Sequence, residues 1–404
     1  MSTAVPGIAP VVAQTFSPPF AVESRHLNVL TLTPFYPSEQ DPTQGCFVSE
    51  PIGEIAQRGV TNEVIAAQPF YRGQASLVQS ETRSSWKQYF SLPGNVGLPL
   101  AGEFLAAALR RQIRRIHSVR PFDLIHAHAV LPCGRAAQLL SRSLGIPFIV
   151  SVHGLDAFSA TQAGPGIGRL CARISKRVYS SAHTVICISE KVRQRVNDVV
   201  QARTTVVYNG VDALQFRRGA ESKSPLVVLS VGNLIPIKGH AHLLGAFARA
   251  IRDVPECVLE IIGDGPERQN LVRLTNELGI SSCVRFRGRQ SREVVTSAMQ
   301  RCAVFALPSS YEGLGCVYLE AMACGKPAIG CHGQGIDEII QHGVNGLLVS
   351  SGSEAELTYS LATLLSNEEL RQHMGMAAHR TVVAQHTLTH QAAQLMDIYR
   401  ECVR

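Results

Sequence analysis

The sequence predicts an α/β chain of two doubly wound, parallel-sheet domains facing each other across a cleft. Strand-like apolar runs alternate with amphipathic helical segments from Leu27 to the C-terminus, the pattern of parallel strands covered by helices on both faces. The alternation runs once through each half, with the short polar stretch "RRGAESKSP" between them. The length of 404 residues is enough for two separate cores.

The elements follow in order. Residues 1–22 include "MSTAVPGIAPVVAQTFSPPF", which lacks a basic region before an apolar core; a disordered tail is expected rather than a signal peptide. "LNVLTLTPF" is a strand. "GCFVSEPIGEIAQRG" is a helix with Val48, Ile52, Ile55 and Ala56 on one face, stopped at Gly59. "NEVIAAQP" and "FDLIHAHAV" are strands, "CGRAAQLLSRSLG" a helix, and "PFIVSVHG" and "HTVICIS" strands again. This makes a first domain over 23–220. A second, over 221–384, holds the strands "PLVVLSVGN", "CVLEIIGDG", "CVRFRG", "CAVFALPS", "KPAIGCHG" and "NGLLVSS", with helices at "HAHLLGAFARAIRDV" and "ERQNLVRLTNELG". A final helical pattern over 385–404 has Ala393, Met396 and Tyr399 among its apolar positions. A hinge is expected around Gly219 to Pro225.

Composition removes some classes. No apolar run approaches the roughly 20 residues of a membrane span. Eleven cysteines without a CxxC pair point to reduced, mostly buried thiols and a cytoplasmic protein. "HAH" at His126 to His128 places two imidazoles on one strand face, but no further ligand cluster supports a metal. The net charge of +7 lies in the first half, which invites an anionic surface or acceptor. No zinc finger, RNA-recognition signature or aromatic–basic interleaving supports nucleic acid.

The most informative stretch is "SSYEGLGCVYLEAMACGKP", Ser309 to Pro327. It reads as a turn at a strand's carboxyl end followed by a helix that stops at Gly325. Gly313 and Gly315 let backbone approach a ligand, and the helix start offers unpaired N–H groups to a phosphate. Glu312, just before that anion site, suits hydroxyls beside a phosphate; Glu320, further along, suits a ribose diol. Phosphate between two hydroxyl-bearing groups describes a nucleotide sugar. Either glutamate alone would read as a capping or surface residue.

Together these residues resemble the retaining glycosyltransferases of family 4, which have the GT-B fold. The resemblance runs from about Leu27 to the C-terminus and is strongest over "PSSYEGLGCVYLEAMACGKPAIGCHGQGIDEII", where Glu312 and Glu320 match the family's two glutamates. Leu314 stands where the family usually has Phe. "SVGNLIPIKGH" matches the family's glycine-plus-lysine loop, with Gly232 in it and Lys238 at the donor-diphosphate lysine. Asn233 stands where many members have a second basic residue. "IIGDGPER", with Gly263, and "VYNGVD", Asn209 to Asp212, match further landmarks; Gly45 falls in the first glycine loop, and His153 where the family has a histidine near the donor sugar.

The resemblance implies transfer of a hexose-type sugar from a UDP- or GDP-linked donor to a glycan or lipid-linked acceptor, with retention of configuration. It implies polysaccharide or glycolipid assembly at the cell surface. Lys238 and the amides around Gly313, Leu314 and Gly315 would stabilise the leaving diphosphate; Glu312 and His153 would position the sugar. No DxD motif is present, so no metal or other cofactor is expected. The last helix would return to the first domain. A nucleotide-sugar epimerase of the same fold is a rival, opposed by the glutamate spacing and "NGVD". An idle sugar-nucleotide-binding subunit is another, for which Asn233 argues. Finally, "FLAAALRRQIRRIHSVR" puts Leu105, Leu109, Ile113 and Ile116 on one helical face and Arg110, Arg111, Arg114 and Arg115 on another. The arginines either meet water or bring the protein to the anionic inner face of the plasma membrane.

Overall fold

The computed structural model describes residues 26–39, 41, 43–73, 83–154, 164–219, 225–252, 254 and 256–404. The expected tail at 1–22 and the middle of the expected hinge, 220–224, lie outside the described residues.

The first domain holds strands β1 (Leu27–Thr33), β2 (Val60–Pro69), β3 (Arg83–Tyr89), β4 (Leu124–His128), β5 (Phe148–Val152), β6 (Thr184–Cys187) and β7 (Thr204–Val206). They form one sheet in the order β3-β2-β1-β4-β5-β6-β7, every pair parallel. The second domain holds β8 (Leu226–Val231), β9 (Cys257–Ile262), β10 (Val284–Gly288), β11 (Val304–Ala306), β12 (Ala328–Cys331) and β13 (Gly346–Val349). Its sheet runs β10-β9-β8-β11-β12-β13, again all parallel. In both, the chain starts at a central strand, works outward, then crosses to the other side. A crevice opens where that direction reverses, at the carboxyl ends of the strands. Strands β4, β5 and β9 are buried along their whole length, as continuous apolar runs between two helical layers should be. The sequence reading missed β3 and β7. Their "RSSWKQY" and "TTV" are edge strands, half-exposed and without an apolar run.

Helix α1 (Cys46–Ala56) starts at Gly45, whose φ of +73° is left-handed. A Cβ there would lie 2.5 Å from the Phe35 carbonyl carbon, so glycine is required. The helix buries Val48, Pro51, Ile52 and Ile55. Ala56, expected on the same face, is exposed. At about 100° per residue it falls at the margin of the stripe. Helix α2 (Leu98–Val119) buries Leu105, Leu109 and Ile113 and half-buries Ile116, while Arg110, Arg111, Arg114 and Arg115 stand in solvent.

The last helix (Leu388–Cys402) crosses back to the first domain. Ala392, Leu395, Met396 and Tyr399 join Leu27, Val29, Ile55, Leu124 and Ile149 in one core. Ala393, expected among the apolar positions, points the other way and is exposed; Ala392 takes its place. Burying a large apolar side chain contributes roughly 1.5–3 kcal/mol, so this core holds the helix firmly.

The domains also meet directly. Ser189 Oγ donates to the Gly313 carbonyl at 2.6 Å. Glu338 of the second domain accepts from the amides of Glu190 (2.7 Å) and Lys191 (2.8 Å) at the start of helix Glu190–Val199 in the first, a carboxylate at a positive helix end. The chain is therefore described in a closed state.

Candidate active site

The interdomain cleft has a volume of about 730 Å³, within the range that takes a small-molecule ligand. Phe47 and His153 line it from the first domain, and Lys238, Glu312, Gly315 and Glu320 from the second.

The floor is glycine. Gly263 has φ +142°, and a Cβ on it would sit 1.9 Å from the Gly232 carbonyl oxygen. The two loops after β8 and β9 can therefore pack against each other only without side chains. The turn Glu312–Gly315 follows β11 and leads into the helix Cys316–Ala323, whose start has no side-chain cap. Gly315, Cys316 and Val317 line the cleft, so that first turn faces it. Leu314 is fully buried, and it too lines the cleft.

Charge sits on this floor. Lys238 Nζ donates to Glu312 Oε2, and both side chains are largely buried. The Glu312 amide is held at 3.0 Å by Gln334 Oε1. Glu320 is 2 % exposed, and its Oε1 accepts from Arg292 Nη1. Its Oε2 has no partner. Asn233 is exposed at the cleft edge. Two arginines, Arg292 and Arg289, line the cleft, and each forms an ion pair across the domain boundary. Arg289 pairs with Asp41, and Arg292 reaches Glu50 of α1 at 2.9 Å.

Around His153 the opposite wall is uncharged. His153 Nε2 and His128 Nδ1 share a hydrogen bond of 2.9 Å. His128 stacks on His126, whose ring nitrogens bond Tyr399 Oη and Ser151 Oγ, each at 2.7 Å. Burial pushes His153 down to about 3, though its edge reaches the cleft. Burial and then the neighbouring His153 hold His126 at about 3, and burial takes His128 well below its ordinary value. All three rings are neutral near pH 7. Phe35 and Phe47 pack on His153 with ring centres at 6.2 and 4.7 Å.

The two walls touch. Gly154 and Gly313 lie so close that a Cβ on Gly313 would be 2.9 Å from the His153 carbonyl oxygen. Comparisons with known proteins agree with this architecture. Residues 50–214 match the family described as Glycosyltransferase Family 4, and residues 212–381 the one described as Glycosyl transferases group 1. The chain is 32% identical over 254 residues to an uncharacterized glycosyltransferase of Methanocaldococcus jannaschii, covering 63% of this chain and 68% of that one. The chain belongs to glycosyltransferase family 4.

Other relatives include a putative teichuronic acid biosynthesis glycosyltransferase of Bacillus subtilis, 24% identical over 75% of this chain and 80% of that one. Among solved structures, the Anabaena protein HepE in complex with UDP-glucose superposes with a TM-score of 0.71 at 20% identity, covering 93% of this chain and all of that one. That likeness is one of fold, GT-B.

Within this transferase, Gly45, His153, Gly232, Asn233, Lys238, Gly263, Glu312, Gly315 and Glu320 all line one cleft. Gly313 sits where the domains touch. Sequence reasoning missed Asp41, Glu50, His128, Arg289 and Arg292. The "HAH" pair signalled His128, although only as a possible metal ligand. The others pair with residues more than 200 positions away, and no local spacing marks them.

Proposed function

We propose that the transferase moves a hexose-type sugar from a UDP- or GDP-linked donor to a hydroxyl of a glycan or lipid-linked acceptor, with retention of configuration and without a metal. The observation that carries this reading is the meeting of the Lys238–Glu312 pair and the uncapped start of helix Cys316–Ala323 with neutral His153 across a closed cleft. As the glycosidic bond breaks, negative charge gathers on the leaving diphosphate. Lys238 and the amides around Gly313, Leu314 and Gly315 are preorganised to receive it. Lys238 must then share itself between phosphate and Glu312, which leaves Glu312 oxygens for sugar hydroxyls. His153, uncharged, donates or accepts one hydrogen bond to a sugar hydroxyl from the other side. Neither is placed as a nucleophile; the acceptor hydroxyl attacks from the face the diphosphate leaves and passes its proton to a phosphate oxygen. Glu320 Oε2, buried and unpaired, takes the ribose diol.

The test is incubation with UDP- and GDP-hexoses, with and without an oligosaccharide acceptor, in EDTA. NMR of the new linkage should show the donor's anomeric configuration. An inverted product, or a requirement for metal, overturns the mechanism. Epimerised donor with no transfer overturns the reaction.

A membrane role at the inner face of the plasma membrane belongs to the same reading, and a surface patch supports it. Phe70, Phe90, Leu100 and Phe104 are exposed, and Phe90 packs on both Phe70 (5.6 Å) and Phe104 (5.1 Å). Leu100 and Phe104 lie on the solvent face of α2, ahead of its four exposed arginines. An aromatic head followed by a basic stripe suits an anionic bilayer surface. Cosedimentation with liposomes should rise with anionic lipid and fall with salt; equal partition to neutral vesicles overturns it.

A further inference from the structure

The proposed reading has Glu320 take the donor ribose, and the inference here rests on that reading. A carboxylate in so buried a place needs a partner, and one side chain supplies it. Arg292 is the first residue of helix Arg292–Arg301, which begins just past β10. Its Nη1 grips Glu320 Oε1. Its Nε reaches Glu50 Oε1 at 3.1 Å and its Nη2 reaches Glu50 Oε2 at 3.2 Å, a two-pronged bond that only a guanidinium can make. Its Cζ lies over the Phe216 ring, 4.6 Å from the ring centre. Arg292 is thus fixed on one edge, one tip and one face. With Oε1 occupied, Glu320 is left with a single oxygen for the cleft, Oε2.

The origin of the partners matters. Glu320 and Arg292 belong to the second domain, and Glu50 to helix α1 of the first. When the domains part, Arg292 loses its bidentate anchor, and Glu320 loses the rigidity of its own holder.

We propose that Arg292 is a positioning residue which orients Glu320 for the donor ribose, and that its anchoring by Glu50 makes ribose selectivity a property of the closed cleft. Arg292 need not touch the reacting atoms. It makes the site sense hydroxyls at the sugar of the nucleotide, and it does so only once both domains are in place.

The experiment measures affinity by calorimetry for UDP and GDP and for their 2′-deoxy and 3′-deoxy counterparts. Whichever base the wild-type protein accepts, the ribonucleotide should bind about 10- to 100-fold more tightly than at least one deoxy form, as a hydrogen bond to a buried charge is worth. Arg292→Met removes the grip but keeps the bulk, and should bring that ratio to near 1. Arg292→Lys keeps the charge without the fork and should give an intermediate ratio. Glu50→Ala removes the anchor from the opposite domain and should also lower the ratio. A merely structural Arg292 would weaken all nucleotides alike and leave the ratio where it was, so an unchanged ratio in folded Arg292→Met or Arg292→Lys overturns the inference. An unchanged ratio in Glu50→Ala overturns the link to closure. Failure of the wild-type protein to bind either nucleoside diphosphate is a different result: it overturns the donor reading itself.

Discussion

The second domain meets the cleft with bare backbone and full charges, whereas the first meets it mainly with two phenyl rings and one neutral imidazole, His153, backed by the buried rings of His128 and His126. On one side, loops of glycine bring Lys238, Glu312, Glu320 and Arg292 to within reach of one ligand. On the other, His153 leans on His128 in a pocket too dry to hold a proton. The contrast maps onto the two ends of the proposed donor. A diphosphate needs fixed positive charge and open amides. In the proposed reading the glycine-and-charge floor of the second domain takes the diphosphate, while Glu312 from that domain and His153 from the first meet at the sugar.

The largest expected effect breaks the charged side. Glu312→Gln keeps the shape but removes the partner of Lys238, and should lower kcat roughly 100-fold or more while nucleotide affinity changes by only a few fold. Steady-state kinetics beside calorimetry separates the two; a fall in affinity with kcat unchanged would mean that Glu312 serves binding alone. On the neutral side, His153→Ala should likewise lower kcat about 100-fold. His128→Ala should cost less, since it acts through the orientation of His153.

Acid tests the dryness of that side. The three histidines are held below their ordinary 6.5 in the fold, so the unfolded chain binds more protons between about pH 6.5 and pH 3. Stability is then full above 6.5 and lost progressively as the pH falls through that window. Urea melts at pH 7 and pH 5 should show a drop of several kcal/mol; flat stability would mean the cluster is wetter than the packing indicates.

Closure itself can be sharpened. Gly313→Ala would put a Cβ 2.9 Å from the His153 carbonyl oxygen and 3.2 Å from Gly154 Cα, atoms of the opposite domain. Overpacking of that kind costs about 1–3 kcal/mol, so donor affinity should fall roughly tenfold with little change in melting temperature. A large fall in melting temperature would place the damage inside one domain instead.

The smallest effect belongs to Glu50. Burial pushes its carboxyl up to about 7, Arg292 pulls it down and Glu320 pushes it up again, with Cys46 and Asp212 also facing the group. Opened to water it would return to its ordinary 4.5, so closure takes up a proton between these values. Nucleotide affinity should rise severalfold as the pH falls from about 7 toward 5, while the ribose-over-deoxyribose preference falls, because protonated Glu50 keeps only one good acceptor oxygen for Arg292; Glu50→Gln should flatten the affinity profile. The opposite slope in the wild-type protein would refute the assignment.

The sequence by itself determined the alternation of strands and helices, because apolar runs and helical stripes are local periodicities. It also determined the glycine loops and the two glutamates eight positions apart, because the turn and its helix occupy one continuous stretch, Ser309 to Pro327. Edge strands β3 and β7 escaped it, since polar half-exposed strands leave no apolar trace. Only the tertiary structure decided what Arg292 does, what His153 rests on, and how the two glutamates differ: Glu312 paired with a lysine from its own domain, Glu320 with an arginine tied to the other. Those contacts join residues 242, 74, 28 and 25 positions apart, brought together by the meeting of the domains and by strand pairing such as that of β4 with β5, and no local pattern in a chain carries the coordinates of such partners.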